Sequence, residues 1–164
     1  MNYNHLFSIS KYRRFLSIVC IVPPHYRTFL FKTFPSVYAY ITHYSVVQFT
    51  LEHNNNDLIL INQNFGLCNN YPISYDEMVY CSNLPAVSSG TSGYYFCLGT
   101  LQKKYNIDMN VVDKLLSQFW QSRYYDYNYY THSIVNQKLV LPIEHKHCQL
   151  KDFIFDEDMI YSKI

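Results

Sequence analysis

The first two thirds of the chain alternate between apolar blocks of strand length and short polar breaks. Residues 15–22 read as a buried strand that Pro23-Pro24 stops, because proline cannot donate to a ladder. Residues 26–34 form a second apolar stretch, rich in Phe and Thr, and residues 42–51 a third. Glu52-His53-Asn54-Asn55-Asn56-Asp57 is a turn, since Asn and Asp tolerate left-handed backbone and bond locally. Residues 58–62 then return as the second arm of a β-hairpin. Residues 64–72 read as loop. Ser88-Ser89-Gly90-Thr91-Ser92 leads into a helix over residues 93–105. A second helix spans 111–122, capped by Asp108 or Asn110, with Val112, Leu115, Leu116 and Phe119 on its apolar face. Residues 139–143 suggest a late strand, and the acidic stretch 152–158 a solvated face. No internal repeat or long linker interrupts this order.

Composition narrows the picture. The 164 residues suit one domain with a real core, and 49% hydrophobic content opposes disorder. Eighteen Tyr stand beside only four Gly, and all four glycines fall between residues 66 and 99. Abundant Tyr and Asn match AT-rich codons, which points to the origin of the gene, viral among the options, rather than to chemistry. The run Tyr124-Tyr125-Asp126-Tyr127-Asn128-Tyr129-Tyr130 reads as that bias filling a strand or loop, with an aromatic contact surface as the alternative. A net charge of +1 lacks the basic surplus that phosphate binding demands, so nucleic acid is a poor partner. The apolar run before Pro23-Pro24 is about half of a membrane span. It reads as a buried strand rather than a span or a leader peptide.

Five cysteines, Cys20, Cys68, Cys81, Cys97 and Cys148, are odd in number, irregularly spaced and without a CxxC pair. They fit neither a disulfide framework nor a zinc site, and favour a reducing compartment. His145-Lys146-His147-Cys148 groups three ligand types but lacks a fourth. No metal and no cofactor is expected.

Several segments, taken in order, resemble one family. Phe15-Leu16-Ser17-Ile18-Val19 before Pro23-Pro24 looks like an opening "F-x-G-V-x…L-P" strand. His43-Tyr44-Ser45-Val46-Val47 is similar to an "H-W-x-x" strand. Leu60-Ile61-Asn62-Gln63-Asn64-Phe65-Gly66 looks like a "Y-F-D-S-F-G" strand end. Ser89-Gly90-Thr91-Ser92-Gly93-Tyr94-Tyr95-Phe96 resembles "S-x-x-C-G-Y-Y-C", and Asn106-Ile107-Asp108-Met109 through Phe119 follows a "G-x-S…I…F" helix. These are motifs of the adenovirus-type (adenain-like) and ubiquitin-like-protein-specific cysteine proteases, in the versions of large DNA viruses and Maverick-type elements. The resemblance covers residues 14–122. It implies an α+β, papain-like cysteine protease fold of the adenain type, a small mixed sheet packed against a central helix that starts near Ser92. Residues 1–13 would be an N-terminal extension, and 123–164 a Tyr-rich and acidic extension on the same domain.

By the same resemblance His43 would be the general base, Ser92 would occupy the nucleophile position, and Gln63 (or Asn62) the acid position. Pro85 or Ala86 would stand where the oxyanion-stabilising Gln belongs. Three of these four positions are changed in type. Serine stays protonated where a cysteine at a helix start would ionise. An amide orients a His but does not stabilise imidazolium, a change that costs about 10⁴ in a serine triad, and a lost oxyanion donor costs roughly 10² to 10³. Cys97, five residues past Ser92, would point about 140° away on a helix and reads as a core thiol. Tyr80-Cys81-Ser82 faintly resembles the Y-C-S nucleophile motif of NlpC-type peptidases, although Asn83-Leu84-Pro85 would stop its helix at once.

The expectation is therefore a degenerate cysteine-protease-like protein of viral or transposon origin, catalytically impaired, that binds a peptide or protein partner in the former substrate groove. The alternatives are an active hydrolase using Ser92 or Cys81 with His43, and an unrelated viral structural or interaction protein. Host cytoplasm or nucleus, or a virion, would be its place.

Overall fold

A computed structural model describes residues 5–31, 36–72, 74–81, 104–106, 110–121, 123–124, 134–135, 138–139 and 147–153. The described residues are mostly β, built on a curled antiparallel half-barrel sheet. This overturns the expected α+β, papain-like fold with a central helix. The alternating pattern that suggested a small sheet continues through longer strands, and the one α-helix among the described residues lies against the sheet's inner face instead of running through its middle.

The main sheet begins with β1 (Leu6–Tyr12) and β2 (Phe15–Val22), joined by a two-residue turn in which Arg13 takes a positive φ of 56°. Residues assigned from sequence to an N-terminal extension thus supply its first strand. The smaller sheet starts with β3 (His25–Phe31) and β4 (Val37–Ile41), which pair antiparallel. The chain returns to the main sheet in β5 (Tyr44–Asn54) and β6 (Asp57–Cys68), a long hairpin turned at Asn55, whose φ is 55°. Asn accepts this left-handed conformation more readily than most residues. A bulge near Thr50 and Leu51 leaves Ile61 as an extra residue and bends the hairpin.

Strand β7 (Met78–Cys81) pairs with β6 and β8 (Lys104–Asn106) with the first part of β6. The end of the helix expected over 93–105 is therefore strand, and residues 82–103 lie outside the described residues. Helix α1 (Val111–Gln121) matches its expected position. Short strands β9 (Arg123–Tyr124), β10 (Ile134–Val135) and β11 (Lys138–Leu139) extend the smaller sheet in the order β10-β11-β4-β3-β9. Finally β12 (His147–Gln149) pairs with β7 and completes the main sheet, in the order β1-β2-β5-β6-β7-β12.

One core lies between the two sheets and the helix. Ile18, Cys20, Val47, Phe49, Leu60 and Phe65 come from the main sheet, Phe29, Ala39 and Ile41 from the smaller one, and Val112, Leu115 and Phe119 from α1. A second, smaller cluster lies on the opposite face of the main sheet. There Val19, Ile21, Val46, Cys68 and Val79 meet Leu150 and Phe153 of a terminal 3₁₀ turn. Gly66 makes this approach possible, because a Cβ there would clash with Val79 Cγ1 and sit 3.1 Å from Phe153 Cζ.

Both thiols in these cores are buried. Burial, chiefly, and then Asp113 push the Cys20 thiol up to about 12. Burial, then Glu77 and Cys148, push Cys68 up to about 12. The thiolate is the reactive form. The folded protein at pH 8 should leave Cys20 and Cys68 unmodified by iodoacetamide, and denaturation should expose both, as peptide mass mapping would show. Rapid native labelling of either would contradict this packing.

Candidate functional site

Of the positions expected to form a catalytic group, His43, Gln63, Asn62 and Cys81 fall among the described residues. His43 lies in the bend between β4 and β5, half-buried, and shares a 2.7 Å hydrogen bond between its Nδ1 and Thr42 Oγ1. Gln63 opposes Phe49 and Asn62 opposes Thr50 in the hairpin. Phe49 is six residues along β5 from His43, so Gln63 is separated from His43 by roughly 20 Å at about 3.3 Å per residue. No side chain of that length spans the gap. Cys81 ends β7, opposite Gly66. Ser92, Pro85, Ala86 and Cys97 lie outside the described residues, as do residues 125–133 and His145.

The polar triplet Asn62-Gln63-Asn64 has a different local role. Asn62 and Asn64 share a sheet face with Ser17, Gln48 and Thr50, and all five are buried. Gln48 Nε2 donates to Ser17 Oγ (2.9 Å) and to Thr50 Oγ1 (2.7 Å), while its Oε1 accepts from Asn64 Nδ2 (3.0 Å). The amide thus spends both donors and its acceptor inside the sheet. Every member is uncharged, so the row fixes strand register and offers no acid or base.

A concave site occurs instead where α1 meets the end of β2 and the start of β3. Asp113, Leu116, Ser117, Trp120 and Gln121 follow the i, i+3, i+4, i+7, i+8 spacing of one helix face. With His5, Val22 and Arg27 they line a half-open cavity of about 240 Å³. Along β3 the inward positions alternate His25, Arg27 and Phe29. Alternation therefore aims two basic side chains at the helix.

His25 and Arg27 are mutually positioned. His25 Nδ1 is 2.7 Å from the Pro23 carbonyl oxygen, which only accepts, so Nδ1 carries the proton. Arg27 Nε–H then donates to His25 Nε2 at 2.8 Å, which requires a neutral imidazole. The guanidinium carbon stands 4.8 Å from the Trp120 ring centroid, a cation–π contact, and the His25 ring meets the same indole edge-on at 5.4 Å. Arg27 is thus held from two sides. Trp120 is the chain's one tryptophan. Its indole is itself braced by Phe119 (4.9 Å) and Phe65 (6.0 Å).

Burial, first, lowers the His25 pKa. The bond to Pro23 opposes this, and Arg27 and His5 add to the lowering. His43 is lowered too, by burial. Both imidazoles bind a proton more readily unfolded, where 6.5 is the ordinary value, than folded. Stability should therefore be full above about pH 6.5 and fall as the pH drops through the folded values. Urea midpoints from pH 8 to pH 5 should decline below 6.5, and less steeply in His25→Gln. A midpoint that rises on acidification across this window would contradict the assignment.

The sequence reading passed over this site because its residues come from three separated segments. The available signal was the inward-phase His25 and Arg27 on an otherwise apolar strand, together with the lone Trp120 in phase with Asp113. Among the described residues, no group of three or more His, Cys, Asp or Glu side chains could hold a metal. No helix among them is long and apolar enough to cross a membrane. Comparison with family models, curated proteins and solved structures finds no match to this chain.

Proposed function

We propose that this protein acts by binding a peptide or protein partner rather than by cleaving it. The observation that carries this reading is the α1–β3 cavity, where His25 and Trp120 hold Arg27 at the wall of a concave surface. Holding a side chain in place before the ligand arrives lowers the ordering cost of association. A mixed wall of apolar and convergent polar groups is the usual build of a ligand site. At about 240 Å³ the cavity is small for a whole ligand and suits one residue or one chain end of a larger partner. The hairpin ladder sets Gln63 opposite Phe49, six residues along the chain from His43, and this supports binding over hydrolysis by a His43–Gln63 pair.

Incubation of the protein with a random hexapeptide pool, followed by mass spectrometry of retained and released material, tests this. Peptides retained and recovered intact are expected. Cleavage products whose formation His43→Ala abolishes would overturn the reading, and so would a pool from which nothing is retained.

A further inference from the structure

We infer that the outward face of β3 and β4 is a docking surface for an uncharged, proline-rich segment of a partner protein. This surface lies on the opposite side of β3 from the α1–β3 cavity and uses neither Arg27 nor Asp113.

The alternation that sends His25, Arg27 and Phe29 inward sends Tyr26, Thr28 and Leu30 outward. On β4, Ala39 and Ile41 are buried, so Tyr38 and Tyr40 face out. The register pairs Tyr26 with Tyr40 and Thr28 with Tyr38, which gathers three phenol rings on two strands. Tyr26 and Tyr38 are 61% and 56% exposed, more than any other large hydrophobic side chain among the described residues. Their rings lie 9° from parallel with centroids 5.3 Å apart, and Tyr40 leans on Tyr26 at 4.8 Å and 46°. One exposed tyrosine is ordinary, but three in mutual contact form a patch of the kind that marks an interaction surface. The contacts also order the rings before a partner arrives, which lowers the cost of association.

The chemistry of the patch selects its occupant. Tyr26, Thr28, Leu30, Tyr38 and Tyr40 carry no charge, so they complement an uncharged ligand. The backbones of β3 and β4 bond to each other and to β9 and β11, so the face offers no free strand edge. Its donors are hydroxyls, of Thr28 and the phenols. A matching ligand brings carbonyl acceptors and apolar rings without needing a strand to pair with. A proline-rich segment in the polyproline II conformation does this, because its carbonyls are unpaired, its prolines lack N–H, and its stiffness reduces the entropy lost on docking. The tilt between Tyr26 and Tyr40 makes the surface ridged, with a notch for a pyrrolidine ring, where a sugar or a base would need a level platform. A net charge of +1 also gives little hold on the phosphates that accompany bases.

A ¹H–¹⁵N NMR titration of the full chain tests this. The probes are decaproline with both ends blocked, a blocked Gly-Ser peptide of the same length, cellohexaose and oligothymidylate. Decaproline should cause saturable shifts centred on the amides of Tyr26, Thr28, Tyr38 and Tyr40, and the other probes should bind at least about tenfold more weakly. Tyr26→Ala and Tyr38→Ala should each weaken decaproline binding about tenfold, and Tyr26→Phe, which keeps the ring, should weaken it less. Both tyrosines are exposed, so these variants should keep the wild-type thermal midpoint, and the wild-type shifts locate the surface whether or not they do. Random hexapeptides held by the α1–β3 cavity should still be retained by Tyr26→Ala, which separates the two surfaces. Decaproline without saturable shifts would overturn the inference, and so would shifts centred away from β3 and β4. Binding unchanged in both alanine variants would overturn it as well, as would tighter binding of cellohexaose or oligothymidylate than of decaproline.

Discussion

Phe119→Ala should cost about 3–5 kcal/mol of folding stability, the largest loss expected from any single truncation in α1. Phe119 is fully buried at the point where the helix meets the curled sheet. Its ring lies 5.7 Å from Phe65, 6.2 Å from Phe49 and 4.9 Å from Trp120. Truncation removes the transfer energy of the ring, leaves a cavity among stiff aromatic neighbours, and forfeits three ring contacts worth about 0.5–1.5 kcal/mol each. Total stabilities run to about 5–15 kcal/mol, so the variant would be marginal. Urea unfolding followed by circular dichroism should show a much lower midpoint with an unchanged slope. Phe119→Leu, which keeps most of the volume, should lose far less. A Phe119→Ala loss below about 1 kcal/mol would mean that α1 does not seal the core.

Gln48→Met should cost about 3 kcal/mol, although the side chain keeps its length and unbranched shape. The loss comes from what is left behind. Ser17 Oγ, Thr50 Oγ1 and Asn64 Nδ2 each lose a bond at positions that are at most 5% exposed. Each deprived buried polar group costs about 1–3 kcal/mol, partly recovered by rotation of the hydroxyls. Adding Ser17→Ala and Thr50→Val to Gln48→Met should therefore restore stability, because two of the deprived partners are removed with it. The same urea titrations check both statements. A triple variant less stable than Gln48→Met alone would show that the row does not act through mutual satisfaction.

This polar row also explains where sequence reading failed. Strand β2 and helix α1 were legible because their patterns are local: an apolar run closed by two prolines, and Val112, Leu115, Leu116 and Phe119 at helical spacing. The hairpin was legible through its Asn-rich turn. Its second arm was cut short at Asn62, since three successive amides look like the end of a strand. Their burial depends on Gln48 and Ser17, 14 and 45 residues before Asn62, and no local pattern announces such partners. The family resemblance then read the same triplet as a strand end with an acid position. Once β6 runs on to Cys68, Gln63 belongs to the middle of a ladder, far from His43. The cavity was illegible for a related reason. His25 and Arg27 look like polar interruptions of an apolar strand until the fold sets Trp120 over them.

The arrangement of His25 and Arg27 carries the binding account, and nitrogen-detected NMR of the His25 ring tests it most directly. A long-range ¹H–¹⁵N spectrum at pH 7 should show His25 neutral and protonated at Nδ1, with Arg27 Nε–H protected from exchange. Substitution Arg27→Gln should delete that resonance and leave the Nδ1–H tautomer set by Pro23. An imidazolium, or a ring protonated at Nε2, would mean that His25 does not accept from Arg27, and the claim of a guanidinium held in place by His25 at the α1–β3 cavity would fall.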